Sequence, residues 1–336
     1  MKHVVIPIFI PHKGCPFDCI FCNQKNISGQ REEVTESSMR SVIEAHLSTV
    51  DSDTFVEIAF FGGSFTGIER EEQIKFLKIA NEYIDRGFVR SIKISTRPDY
   101  INEDILSYLK LYKVTTIELG VQSLDSSVLE KCSRGHSVED VIKASKSIKE
   151  NGFVLGIQTM IGLPGDDFEK ALNTANKVVE LAPKIVRIYP TLVIKDTYLE
   201  KAYRMGQYTP LNIDDAVDLC TKLMDIYENK NIDVIRVGLQ PTDNICDGGD
   251  VLAGPFHPAF RQLVDSKRAL NVIEGIIIKN KLADKKSLII LTTGKNVSNI
   301  VGQKKSNIRY LKNKYGYKEI KVHSEGEKCE LYDIKY

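Results

Sequence analysis

Nowhere in the 336-residue chain do about 18 apolar residues run uninterrupted, the length a membrane-spanning helix needs, so no membrane partner is expected. No export signal is expected either. The N-terminus, MKHVVIPIFIPHKGC, has no small-residue cleavage site and passes directly into a cysteine-bearing loop. There is no low-complexity tract and no tandem repeat. The seven cysteines are odd in number and mostly scattered, unlike a disulfide framework. Net charge is only +1. What remains, 42% hydrophobic and 27% charged residues, is ordinary for a globular protein. The length suits one large α/β barrel or two domains. The expectation is a cytoplasmic protein opening on the strand HVVIPIFI (3–10).

The first 190 residues repeat one theme, a short β-branched run followed by a longer helical stretch. Strands are predicted at 3–10, 54–61, 89–95, 114–121, 153–159 and 184–189. Amphipathic helices are predicted near 36–49, 70–85, 102–112, 138–151 and 167–181. In ESSMRSVIEAHL, for instance, Met39, Ile43 and Leu47 share one helical face. Six β-then-α units without a hairpin signal imply a parallel sheet with helices outside it, an α/β fold. Six units fall short of the eight-fold barrel and fit a partial one, with the chemistry at the C-terminal strand ends. Two more helices are expected within 196–232, a seventh strand at 231–240 and a helix from about 259 to 280. A small α/β appendage should end the chain.

Three cysteines do stand together. Cys15, Cys19 and Cys22 form C-x3-C-x2-C just after the first strand, with no fourth cysteine near. Structural zinc takes four closed ligands and iron–sulfur clusters typically four thiolates. Three thiolates would leave one iron of a 4Fe–4S cube open. The alternatives are small core residues, or a zinc loop completed by His12.

With Phe21 before its last cysteine, this triplet resembles the signature of the radical S-adenosylmethionine superfamily. The resemblance implies a partial (β/α)6 TIM-like barrel, a 4Fe–4S cluster on the three cysteines, and S-adenosylmethionine chelated to the open iron. Reductive cleavage by an external one-electron donor such as flavodoxin or ferredoxin would give a 5′-deoxyadenosyl radical. Further motifs fall at strand ends. FFGGSF brings Gly62, Gly63 and Ser64 to the turn that meets the methionine amino group in the family. STRPDYI is similar to the family's E-T-R-P-D, with Ser95 in place of the glutamate. Gln122 in ELGVQSLD and Arg134 in SRGH resemble a glutamine–arginine pair of coproporphyrinogen-oxidase-like members, the arginine facing the methionine carboxylate. In IQTMIGLPGD, Gln158 stands where those relatives carry a ribose-binding aspartate, and Ile161–Leu163 would pack the adenine. Tyr189 in RIYP should lie near the same nucleoside. Taken singly, each motif also reads as an ordinary turn or a satisfied interior amide.

Residues 191–211 and 236–264 resemble the region following the radical domain in the Elongator catalytic subunit and its stand-alone bacterial relatives. The expected organisation is a barrel over 1–240, a barrel-closing extension over 241–281 and a basic appendage over 282–336. No acetyltransferase, cobalamin-binding or methylthiotransferase domain is expected, and Cys132, Cys220, Cys246 and Cys329 read as buried thiols. Among compact relatives, the leading reading is a carbon–nitrogen lyase that cleaves free queuine to 7-aminomethyl-7-deazaguanine. Glu118 is its candidate interior acid or base, or else a structural partner for Arg97 or Arg187. Tyr189 and His257 are further catalytic candidates, although His257 beside Pro258 also reads as a capping residue. Arg187, Gln240 and Arg261 are candidates for the substrate side. The alternative is a tRNA-modifying enzyme. From Lys279 to Lys321 the chain carries +10, leaving −9 on the rest. Within that segment IVGQKKSNIRYL (300–311) resembles the core of a KH module, with Lys305 in place of the second glycine. The same lysines also fit a solvated face docking on the acidic barrel.

Overall fold

The computed structural model describes residues 2–10, 19–23, 34–246, 248–324 and 333–335. Two compact units divide the chain, Met1–Asn212 with Met224–Pro258, and Ile213–Leu223 with Ala259–Tyr336. No helix among the described residues is long and apolar enough to cross a membrane.

In the first unit, β1 (His3–Ile10), β2 (Phe55–Gly62), β3 (Ser91–Thr96), β4 (Val114–Gln122), β5 (Val154–Ile161) and β6 (Ile185–Pro190) lie side by side in chain order. The sheet passes over the short β7 (Val193–Ile194) and closes on β8 (Asp233–Val237), giving seven parallel strands. This is the expected α/β partial barrel. Its crossovers include α1 (Glu36–Leu47), α2 (Arg70–Asp85), α3 (Glu103–Leu111), α4 (Ser126–Lys131), α5 (Val138–Glu150) and α6 (Phe168–Leu181). Most helix starts are written in the sequence. Thr35 and Ser137 build capping boxes, and Asn102, Asp125 and Asp167 each accept a backbone N–H of the first turn. Met39 and Ile43 are buried on α1, whereas Leu47 is only half-buried.

Strand side chains alternate between two environments. Ile58 and Phe60 are buried toward the helical layer, where Phe60 meets Phe76 of α2 with ring centroids 6.4 Å apart. The opposite face carries Glu57, Lys93, Glu118, Gln158 and Arg187, which bond to one another across strands. The chain continues through α7 (Tyr198–Arg204) and α8 (Ile213–Glu228), the two helices expected before the seventh strand. The antiparallel ribbon of β7 with β9 (Val251–Ala253) is an unforeseen element.

The second unit takes Ile213–Leu223 of α8 and resumes at α9 (Phe260–Lys279). Then come β10 (Ser287–Thr292), α10 (Val297–Val301), α11 (Ser306–Tyr315), β11 (Glu319–Ser324) and β12 (Asp333–Lys335). β10 is central, parallel to β11 and antiparallel to β12. The units divide differently from the expected 241–281 extension and 282–336 appendage. Ala269, Ile273 and Ile277 of α9 share one core with Leu288, Ile290, Ile300 and Leu311, so the helix belongs with the strands after it.

Candidate functional site

The cysteine motif follows β1 in the sequence, and its described part is residues 19–23. Cys15 lies outside the described residues, as does His12; Cys19 is buried and Cys22 half-buried. Three contacts hold this loop. Ile20 donates its N–H to the Cys132 carbonyl (3.2 Å), Leu199 N–H donates to the Ile20 carbonyl (2.7 Å), and Asn23 Nδ2 donates to the Lys195 carbonyl (3.0 Å). Ile20, Phe21 and Met160 pack on Val128, Cys132 and Leu163, so the expected apolar flank at Phe21 and Leu163 is one cluster.

Arg134 is buried behind the loop. One terminal nitrogen donates to the Gly120 carbonyl (2.6 Å) and the other lies 3.5 Å from Cys19 Sγ. Its Nε is buried without a partner among the described residues. Gly120 makes room for this arrangement, since a Cβ there would stand 3.0 Å from the guanidinium and 3.2 Å from Gln122 Nε2. Gln122 itself turns out of β4 at φ +69, where the register with β5 shifts. His136 follows, 6% exposed, its Nε2 buried without a partner among the described residues. Burial, and then the charge of Arg134, pushes its pKa down to about 4, so the ring is neutral.

At the β2 turn, Gly62 has φ +106, and a Cβ there would lie 2.3 Å from the Ile10 carbonyl oxygen. Its glycine is required by the neighbouring strand, a stronger demand than the ligand approach expected from sequence. Gly63 N–H donates to the same carbonyl (3.3 Å). Ser64 is turned inward, its Oγ 2.8 Å from Thr96 Oγ1 and accepting from Arg97 N–H. Ser95 Oγ accepts from Gln158 Nε2 (3.3 Å), which joins those two candidates directly.

Glu118 is 1% exposed and engaged on both oxygens. It takes Arg187 Nε at 2.8 Å and Gln158 Nε2 at 2.9 Å on Oε2, and Arg187 Nη2 at 3.2 Å and Lys93 Nζ at 3.5 Å on Oε1. Gly156 leaves the space, since a Cβ there would be 2.7 Å from Glu118 Cγ. The structure therefore makes Glu118 the partner of Arg187 and not of Arg97, which pairs with Asp99 at 2.9 Å. Glu118 thus sits as an ion-pair and hydrogen-bond partner inside this network. Arg187 stacks 5.1 Å over Phe61 and donates to Tyr189 Oη at 3.4 Å. Burial opposes its charge, but Glu118 and Tyr189 outweigh that and raise its pKa. Lys93 and Glu57, 2.7 Å apart, extend the network. Sequence reading missed both, though a lysine inside the apolar strand SIKIST was a signal.

Other candidates have partners of their own. Gln240 is exposed and accepts from Arg236 (2.6 Å). His257 is half-buried after β9, outside the barrel sheet. Arg261 belongs to the second unit, bonded to Asp265 at 3.1 Å. Cys132 and Cys220 are buried thiols, Cys132 pushed up to about 12 by desolvation; Cys246 is half-buried and Cys329 lies outside the described residues.

Residues 9–178 match the sequence profile of the Radical SAM superfamily, and 183–269 that of the Radical_SAM C-terminal domain. The tRNA uridine(34) acetyltransferase of Methanocaldococcus jannaschii is 31% identical over 184 residues, 49% of this chain and 34% of that one. Human Elongator complex protein 3 is 28% identical over 189 residues, 50% of this chain and 35% of that one. The chain thus spans about a third of the length of these relatives. The solved Elp3 of Methanocaldococcus infernus, with an N-terminal deletion, superposes with TM-score 0.62 at 22% identity, covering 84% of this chain and 64% of that one, which shows the shared fold. The superfamily uses a 4Fe–4S cluster and S-adenosylmethionine. The residues present fit both: thiols on a pinned loop, a buried guanidinium with a donor to spare, and space kept by Gly120. By sequence and by fold, the chain belongs to the radical S-adenosylmethionine superfamily.

Proposed function

We propose that this radical S-adenosylmethionine enzyme acts on RNA, with tRNA the leading substrate class. What supports the reading is one observation: the half of the chain bearing the site is similar to proteins named for action on tRNA uridine(34). The queuine-lyase reading finds no support among these relatives.

When bound, the cluster and S-adenosylmethionine supply a 5′-deoxyadenosyl radical, with the electron from an external donor. The chain's own residues do the rest. Cys15, Cys19 and Cys22 would hold the cluster, and Arg134 would complement the negative charge of ligated sulfur while offering Nε to the methionine carboxylate. Gln122, beside Arg134, and the Gln158–Ser95 pair would present amide and hydroxyl groups to the nucleoside. Phe21, Leu163 and Met160 keep one flank dry. Arg187 holds the Tyr189 hydroxyl at the end of β6, where it can meet a substrate group.

The test is anaerobic reconstitution, then reductant, S-adenosylmethionine and either unmodified tRNA transcript or queuine. RNA-stimulated 5′-deoxyadenosine together with a mass change in one nucleoside is expected. Stimulation by queuine alone, with release of 7-aminomethyl-7-deazaguanine, would overturn the RNA reading and restore the lyase.

A further inference from the structure

We infer that the second unit is a clamp for the backbone of single-stranded RNA, centred on the turn Gly302–Lys305. The inference deepens the RNA reading above and rests on it. Four observations converge on the turn.

The topology comes first. Parallel strands β10 and β11 are joined through two helices, α10 and α11, with the turn between the helices and a third strand on the far side of β10. That βααβ arrangement is the one in which KH modules carry a GxxG loop that clamps about four backbone nucleotides.

The second is backbone conformation. Gly302 has φ +72, and a Cβ there would strike Ser306 Oγ at 2.5 Å and Asn307 N at 2.9 Å. Lys304 (φ +48) and Lys305 (φ +61) follow, two non-glycine residues held left-handed in succession. Lys305 thus adopts the conformation that the missing second glycine would supply. Lysine gains nothing structurally from such a position, so the strain points to a use for the side chain.

Charge is the third. Lys304, Lys305 and Arg309 are exposed, and none has a carboxylate partner among the described residues. Lys305 and Arg309 are one helical turn apart and share a face. Three other lysines of the unit are neutralised: Lys314 lies 2.5 Å from Glu274, Lys267 2.8 Å from Asp218 and Lys321 3.3 Å from Glu319. Lys304, Lys305 and Arg309 thus place three positive charges together at the turn.

Fourth, the turn is anchored. Asn307 is 6% exposed, and its Nδ2 donates to the Ser266 carbonyl of α9 (2.8 Å) and the Asn299 carbonyl of α10 (3.0 Å). The lysines therefore project from a fixed base, which lowers the ordering cost of binding.

The experiment uses the full chain, a short fluorescein-labelled single-stranded RNA of mixed sequence and its DNA counterpart, with anisotropy read over a salt series. The double variant Lys304→Ala/Lys305→Ala should lose about tenfold or more in RNA affinity, and its log–log salt slope should fall by about 1.4, about 0.7 for each phosphate contact removed. Lys314→Ala, in a paired lysine, should bind as the parent does. Unchanged circular dichroism and thermal midpoint would confirm that the double variant is folded. Undiminished affinity and slope in that variant overturn the clamp while leaving the RNA reading intact. No binding of RNA by the parent chain overturns both. DNA binding as tight as RNA binding overturns the assignment to RNA.

Discussion

Glu118 accepts from Gln158 and Arg187 and lies within ion-pair distance of Arg187 and Lys93. Glu118→Ala would leave Arg187 and Lys93 buried and unbalanced, and denaturant titration should show a loss of about 3–5 kcal/mol. Tyr189→Phe removes a single weak hydrogen bond and should cost about 1 kcal/mol or less. If Tyr189 meets the substrate, that variant should form 5′-deoxyadenosine normally yet modify RNA more slowly. His136 and Asp166 make opposed predictions about acid. The pKa of His136 falls to about 4 in the folded chain, so the unfolded state takes up its proton first. Its contribution is whole above pH about 6.5 and is lost, by about 3 kcal/mol, as pH falls toward 4. Asp166 runs the other way. Burial raises it to about 6, so its contribution is present in acid and fades as pH rises through that value. The parent should therefore show a shallow profile between pH about 4 and 6.5. Asp166→Asn should lose stability steeply with acid, and His136→Asn should gain it, as read by thermal midpoints across that range.

Strands and helices of the barrel were legible because each carries its own signal: β-branched runs inside, apolar stripes at helical spacing, and capping residues at five starts. The β7–β9 ribbon was not, being only two and three residues long, with its pairing set by distant parts of the chain. Nor was the shift at Gln122, which gives no local sign, because a glutamine at φ +69 is a tertiary imposition. The site was legible as a list of residues and not as a set of partners. Sequence offered Glu118 two arginines, and only contact geometry assigned Arg187 to it and left Arg97 with Asp99. At this scale the sharpest expectation concerns Gly62. Gly62→Ala would press a methyl group against the Ile10 carbonyl, where the chain enters the cysteine loop, on top of about 1–3 kcal/mol of backbone strain. Iron and sulfide assays after reconstitution should show a substantially reduced cluster content, while Gly87→Ala, strained in φ but with nothing within 4 Å, should retain it.

Across the whole molecule, charge is partitioned: +10 from Lys279 to Lys321 against −9 elsewhere. On the proposed RNA reading, binding by the intact chain should therefore depend steeply on salt. Inside the barrel the balance is reached residue by residue, with Lys93 and Arg187 against Glu57 and Glu118. Lys93→Met alone should be costly, whereas Lys93→Met with Glu57→Leu should recover most of the loss in a double-mutant cycle. Such a quartet has a consequence for assembly. Its members come from four strands, β2, β3, β4 and β6, and in each strand a slip of one residue turns the charge to the opposite face. A misaligned sheet would then hold a lone ion in its apolar layer and fall apart again. The quartet should thus act as a proofreader of strand alignment, favouring in the partial barrel the pairing in which these charges meet.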